Sequence, residues 1–299
     1  MRRQQSKVIQ VVRGVEQSDG AGVKLKRIIG QRQLRRLDPF LMLDEFGSDH
    51  ADDYIAGFPP HPHRGFQTVT YMLQGKMGHK DSVGNQGVIE DGGLQWMNAG
   101  SGIIHEEMPQ QTEGKLRGFQ LWVNLPADEK MSAPGYEDIQ SKQVPELFID
   151  SVDNNSLEPP KIMHEPSKVR VLAGEYNGVN GPIKTHAVSP HFLDFHLKGD
   201  ANVAFKTSHE HQGFVYVYEG VLNVGDHSLN SGDLGVLAMS DELVLHNQSA
   251  GDAKAIFVSG LPLNEPVAQY GPFVMNTEAE IQQALKDYQQ GTLARTVAL

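Results

Sequence analysis

Apolar and polar residues alternate along most of the chain in short runs closed by glycine or proline. Residues 63–75, HRGFQTVTYMLQG, form a β-branched and aromatic run that ends at Gly75. Residues 86–109, QGVIEDGGLQWMNAGSGIIHEEMP, give two more runs around glycines, and 116–126, LRGFQLWVNLP, another closed by Pro126. Residues 7–14, KVIQVVRG, alternate more weakly. Runs of this length, rich in Val, Ile, Thr, Tyr and Phe and bounded by turn formers, read as strands, and many in succession read as a barrel or sandwich. The expected fold class is all-β.

The rhythm breaks at about 127–168, a polar, proline-bearing stretch that reads as a domain connection holding one or two short strands. It then resumes: HFLDFHLKG, GFVYVYEGVLNVGDHSLNSGDLGVL, DELVLHNQS and AKAIFVSG are strand-like. HPHRGFQTVTYMLQG in the first half and HEHQGFVYVYEGVLNVG in the second share His-x-His-x-Gly-Phe, an apolar alternation and a closing glycine. Such internal similarity predicts two related β-domains, over 1–135 and 136–299. One segment has helical period instead. Thr277 and Glu280 have capping-box spacing, Ile281, Ala284, Leu285 and Tyr288 make one apolar stripe, and Gly291 is a stop signal. A short terminal helix over about 277–290 follows.

Composition narrows the function. The net charge of −11 leaves no basic surplus for direct nucleic-acid binding, which needs clustered Lys and Arg. No apolar run reaches membrane-spanning length, and the polar start lacks the apolar core of a secretory signal. Cysteine is absent, which fits a reducing compartment, so the expected location is the cytoplasm. It also removes thiolates as nucleophiles or metal ligands, and any metal must be held by imidazole and oxygen donors.

That restriction directs attention to the histidines. On a strand, residues i and i+2 share a face. His61 and His63 therefore point the same way, with Pro62 between them pointing the other. His105 and Glu107 have the same spacing in a later run, with Glu106 facing away. If the two strands are neighbours, three imidazoles and one carboxylate converge. This set suits Fe(II), Mn(II), Ni(II), Co(II), Cu(II) or Zn(II) and not the all-oxygen cations Ca(II) and Mg(II). Four protein ligands leave two octahedral positions open for substrate and for O2 or water.

LDPFLMLDEF, PPHPHRGFQTVTYMLQG, LQWMNAGSGIIHEEMP, RGFQLWVNLP and EPVAQYGPFVMNT, in this order between about Lys24 and Leu293, resemble the pirin family of two-domain cupins. The resemblance implies a bicupin of two jelly-roll-like barrels, an iron centre in the N-terminal domain and a metal-free C-terminal domain. It carries the metal-ligand role to His61, His63, His105 and Glu107. The chain departs from the general cupin motifs at Gln67, where a glutamate would stand, and at Ala99 and Gly100, where a proline would precede the second motif. Some family members open flavonols such as quercetin with O2 and release carbon monoxide; others are metal-dependent regulators that bind a transcription factor or a metabolic enzyme. The implied partners are thus a small aromatic substrate with O2, or a regulatory protein. On the enzyme reading Glu107 is the general base, and Phe46, Gln67, Met97 and Gln120 are candidates to line the substrate pocket. Phe46 reads as easily as a core residue, and Met97 and Trp96 read more readily as packing residues. A zinc or manganese sugar-isomerase cupin is the weakest reading.

The second domain carries His209, His211 and His246. Val215 occupies the expected glutamate position, and Asn247 and Gln248 follow His246, so this set is read as a barrel without its metal. His50, His79, His164 and His227 lie in turn-rich contexts and read as surface residues. Asp44 and Glu45, adjacent on a strand, face opposite ways and make no carboxylate pair.

Overall fold

The computed structural model describes residues 5–149, 166–184 and 187–294. The described residues form two β-barrels and one α-helix. Contacts divide the chain into one unit of Val15–Gln143 with Leu263–Leu299 and another of Met1–Gly14 with Val144–Pro262. A single cut at 135/136 does not reproduce this division, because the chain crosses between units more than once. Strand Val8–Arg13 pairs with Asp233–Leu237 in the later unit, and the terminal helix belongs to the earlier one. Within the expected connection, Gly135–Ile139 and Glu146–Ile149 are strands, one in each unit, and 150–165 lies outside the described residues.

The first barrel packs a seven-stranded sheet against a four-stranded one. The larger runs Gly135–Ile139, Leu94–Asn98, Phe66–Gln74, Leu116–Asn124, Phe40–Ser48, Val23–Ile29 and Val15–Asp19. The smaller runs Phe58–His63, Ile103–Pro109, Met77–Asp81 and Gln86–Ile89. Antiparallel pairing and period-two burial go together: in Ile103–Pro109 the residues Ile103, His105 and Glu107 are buried, with the positions between them less so. The inside of this barrel is divided. Val23, Leu25, Phe46, Met72, Met77, Ile89 and Leu116 form an apolar cluster, and beside it lies the polar interior described below.

The second barrel repeats the plan. Its seven strands run Val8–Arg13, Asp233–Leu237, Gln212–Glu219, Ala253–Gly260, His191–Leu197, Ser167–Ala173 and Glu146–Ile149. Its four run Asn202–Lys206, Glu242–His246, Val221–Val224 and His227–Asn230. Here the interior is one continuous apolar core that includes Val215, Val217, Leu243, Leu245 and Phe257.

The helix Glu278–Gln289 starts as its sequence dictates. The Thr277 hydroxyl accepts from the Glu280 amide while the Glu280 carboxylate accepts from the Thr277 amide, closing the capping box. Ile281 and Ala284 are buried and Leu285 packs beside them, whereas Tyr288 stays largely exposed at the end of the stripe. Arg64, itself buried, ties the helix to the first barrel through an ion pair with Asp287 at 2.8 Å.

Candidate metal centre

His61 and His63 end a short strand of their own, Phe58–His63, rather than starting the long one that follows. Gly65 makes the turn between the two strands; its φ is +86°, and a Cβ there would run into the Val274 carbonyl. Strand Phe58–His63 contains Pro59, Pro60 and Pro62, none of which can donate to a ladder. It is an edge strand, paired only with Ile103–Pro109, where prolines are tolerated. In that pairing His105 lies directly across from His61 and Ile103 across from His63. Register and alternation together bring three imidazoles to one face.

One ligand atom from each of His61, His63 and His105 lies within 4.8 Å of the others. Ring centroids are 4.7 Å apart for His61 and His63, 4.5 Å for His61 and His105, and 4.9 Å for His63 and His105. Both nitrogens of His63 and both of His105 are buried without a hydrogen-bond partner. A buried polar atom left unmatched is costly, and His63 and His105 each bring one such nitrogen to the cluster, which calls for a ligand. The Nδ1–H of His61 donates to the Pro59 carbonyl at 2.9 Å, which leaves Nε2 as its donor atom toward the cluster. Burial holds His63 and His105 well below the usual imidazole range, helped by the neighbouring imidazoles. They are therefore neutral near pH 7, the form that ligates. This donor set fits a borderline divalent metal.

Glu107 shares the strand face of His105 and is buried, but its carboxylate stands outside the three-imidazole group. It accepts from the Thr70 hydroxyl at 2.9 Å. The same hydroxyl lies 2.6 Å from Gln120 Oε1. Burial raises the Glu107 carboxyl above its usual range, against the opposing pull of His61 and Thr70.

A cavity of about 800 Å³ opens on the cluster, lined by His61, His63 and Glu107 together with Phe46, Gln120 and Trp122. Of the four expected pocket residues, Phe46 and Gln120 line it and two do not. Gln67 is on the outer face of its strand, where its Oε1 accepts from Trp96 Nε1 at 3.0 Å. Met97 packs among Ala99, Ile103 and Tyr136. The inner face of Phe66–Gln74 is the one that carries Thr70, so Gln67 has the wrong parity.

The cavity also has a charged wall that sequence reading missed. Asp44 lies on its lining and accepts two bonds from Arg27, at 2.9 and 2.7 Å. Glu45 points the other way and accepts from Arg117, so the two acids diverge as expected. His79 is also not a surface residue. It is buried on Met77–Asp81 across from Glu107, with Nε2 2.9 Å from Asp138. His50 and His227 are exposed, and His164 lies outside the described residues.

Two cupin-like barrels, one with a three-histidine centre facing a cavity, define the class. The chain belongs to the pirin family: residues 22–123 match Pirin and residues 192–294 match the Pirin C-terminal cupin domain. It is 44% identical to a Pseudomonas aeruginosa protein named "Putative quercetin 2,3-dioxygenase", over 96% of this chain and 98% of that one. It is 37% identical to Pirin of Homo sapiens, covering 91% of this chain and 89% of the other. Among solved structures it resembles quercetin 2,3-dioxygenase from Acinetobacter baumannii, with a TM-score of 0.84 and 32% identity over 98% of this chain and 100% of that one. No helix among the described residues is long and apolar enough to cross a membrane.

Proposed function

We propose that this protein is a metal-dependent dioxygenase that opens a flavonol such as quercetin with O2, with iron(II) held by His61, His63, His105 and Glu107. The observation that carries the reading is the imidazole cluster, with both nitrogens of His63 and of His105 buried and unmatched, beside a cavity of about 800 Å³. That volume lies in the range of small-molecule sites. The names of the Pseudomonas and Acinetobacter relatives support the substrate class.

Bound there, the metal supplies positive charge that acidifies the flavonol 3-hydroxyl and open positions for substrate and O2. The chain's own residues supply the proton handling. Glu107, made more basic by burial, takes the 3-hydroxyl proton. Thr70 has a single hydroxyl hydrogen and two acceptors, Glu107 Oε1 and Gln120 Oε1. While Glu107 is ionised, Thr70 donates to it. Once Glu107 carries the proton, Thr70 can accept from it and turn its own hydrogen to Gln120, so that the buried acid stays hydrogen-bonded in both states. Phe46 and Trp122 offer apolar surface for a flat ring system, and Asp44 and Gln120 offer acceptors for its hydroxyls.

The test is aerobic loss of quercetin absorbance with matching O2 uptake by metal-loaded protein. Turnover that disappears on chelation and returns on reloading supports the proposal. A fully loaded protein that turns over no member of a flavonol panel refutes it and favours a metal-dependent regulator that acts by binding a protein.

A further inference from the structure

The strand that carries His61 and His63 is poorly held by its own sheet. It has one neighbour, and three of its six residues are prolines, which cannot donate to a ladder. The end that bears the histidines is anchored by a segment that follows the second barrel in the sequence. This segment is the hairpin of Ala268–Tyr270 and Phe273–Met275 with the helix Glu278–Gln289 after it. The Arg64 amide donates to the Pro272 carbonyl at 3.3 Å, and the Arg64 carbonyl accepts from the Val274 amide at 3.0 Å. Lys130 Nζ donates to the carbonyls of both Gly65 and Val274, at 2.7 and 3.1 Å.

The same segment packs against the turns beside both metal strands. A Cβ on Gly65 would collide with the Val274 carbonyl, and one on Gly102 would collide with the Leu293 carbonyl. Ile104, next to His105, packs in the apolar cluster of Ala268, Phe273, Met275, Ile281 and Ala284. Gln269, Gly271 and Pro272 join the lining of the 800 Å³ cavity. The Arg64 side chain connects these parts. Its Nε donates to the Ser101 carbonyl at 2.6 Å, two residues ahead of the strand that carries His105. Its Nη1 donates to Asp287 Oδ2 on the helix at 2.8 Å. One guanidinium thus spans the turn after His63, the loop before His105 and the C-terminal helix.

We propose that Arg64 is a positioning residue for the metal centre and that Asp287 holds it in place, so that the C-terminal helix sets the approach of His63 to His105. This role presupposes that His61, His63 and His105 hold the metal, as proposed above. Arg64 acts through the backbone and not on the metal. Its side chain is 5% exposed, so loss of the Asp287 charge leaves a buried cation without its counterion. The guanidinium then turns toward other acceptors and releases the Ser101 carbonyl. Binding residues must be held within about 0.5 Å of their working geometry, so loosening one strand end against the other weakens the metal site before it unfolds the barrel.

Cobalt(II) is the probe, because its visible bands report ligand geometry and chelator competition gives its affinity without turnover. Full-length wild type, Asp287→Asn, Arg64→Gln, Ile281→Val and His105→Ala are stripped of metal and titrated. Ile281→Val loosens helix packing without touching the Arg64 link. Circular dichroism and thermal melts of metal-free protein measure the structural cost of each change. Affinity is expected to fall about tenfold in Asp287→Asn and in Arg64→Gln, the size of effect when a supporting partner of a metal site is lost, with shifted cobalt bands. Ile281→Val is expected to keep wild-type affinity and bands. Wild-type affinity and bands in Asp287→Asn overturn the proposal. So does a loss in Ile281→Val as large as that in Asp287→Asn, because helix stability alone then accounts for it. Wild type that takes up no cobalt removes the metal reading and the proposal with it. Binding that is lost in His105→Ala but untouched in Asp287→Asn removes the proposal alone.

Discussion

His63→Leu separates a metal ligand from a packing residue, because the two roles predict opposite signs for the stability of metal-free protein. The His63 ring is 2% exposed, packs edge-on against Phe66 and Trp122 at 5.2 and 5.5 Å, and has no partner for either nitrogen. An unmatched buried polar group costs about 1–3 kcal/mol, and leucine removes both nitrogens while filling similar space. Metal-stripped His63→Leu is therefore expected to be more stable than metal-stripped wild type by about 1–3 kcal/mol. For a unit of this size that corresponds to roughly 2–4 °C in Tm per kcal/mol. Metal reverses the order. At a free concentration about a thousandfold above Kd, wild type gains about 4 kcal/mol, while the variant, short of one ligand, is expected to gain less than about 1 kcal/mol. Urea denaturation followed by tryptophan fluorescence reads this barrel selectively, because both tryptophans of the chain, Trp96 and Trp122, belong to it. A variant that is several kcal/mol less stable without metal, yet keeps the full metal response, would show that His63 packs the core and does not ligate.

Glu107→Gln keeps the shape of the side chain and removes its basicity. Flavonol turnover at full metal loading, checked by elemental analysis, should fall by about a hundredfold or more, the usual contribution of a positioned base, while the introduced amide oxygen replaces the carboxylate only as a weaker ligand. Thr70→Val removes the hydroxyl between Glu107 and Gln120 and should lower kcat by about tenfold, the equivalent of one hydrogen bond to a charged group, with little change in fold by circular dichroism. Lys130 is buried, with Nζ donating to the carbonyls of Gly65 and Val274 and to Asn124 Oδ1, and burial lowers its pKa from 10.5 to about 8. Between those values the unfolded chain holds a proton that the folded chain has shed, so stability should rise with pH across that window, by up to about 3 kcal/mol in total. Denaturation at a series of pH values should show this slope in wild type and lose it in Lys130→Met.

What could be read from the chain was local, and what escaped reading was set by pairing. The alternating runs, the capping box at Thr277 and Glu280, and the shared faces of His61 with His63 and of His105 with Glu107 depend on spacings of two to four residues, which the sequence carries explicitly. Which face of a strand turns inward does not. Gln67 and Thr70 stand on one strand with opposite parity, and only the position of the neighbouring sheet makes Thr70 the residue that touches Glu107. The Arg27–Asp44 wall was hidden for a similar reason, since a charged residue in a strand reads as solvent-facing until a cavity is found on its side. The turn formers around His79 point to the surface, yet it is buried on a strand across from Glu107. The division of the chain into units depends on Val8–Arg13 reaching Asp233–Leu237, a pairing over most of the sequence that no local pattern signals.

The most direct test of the central claim is oxygen and carbon monoxide accounting on one sample. Chelator-stripped protein is reloaded with iron(II), mixed aerobically with quercetin, and followed for O2 consumed, flavonol lost and carbon monoxide released, alongside His105→Ala treated identically. The three quantities are expected to agree mole for mole in wild type and to vanish in the variant. Equal turnover by His105→Ala, or none by fully loaded wild type, would contradict it.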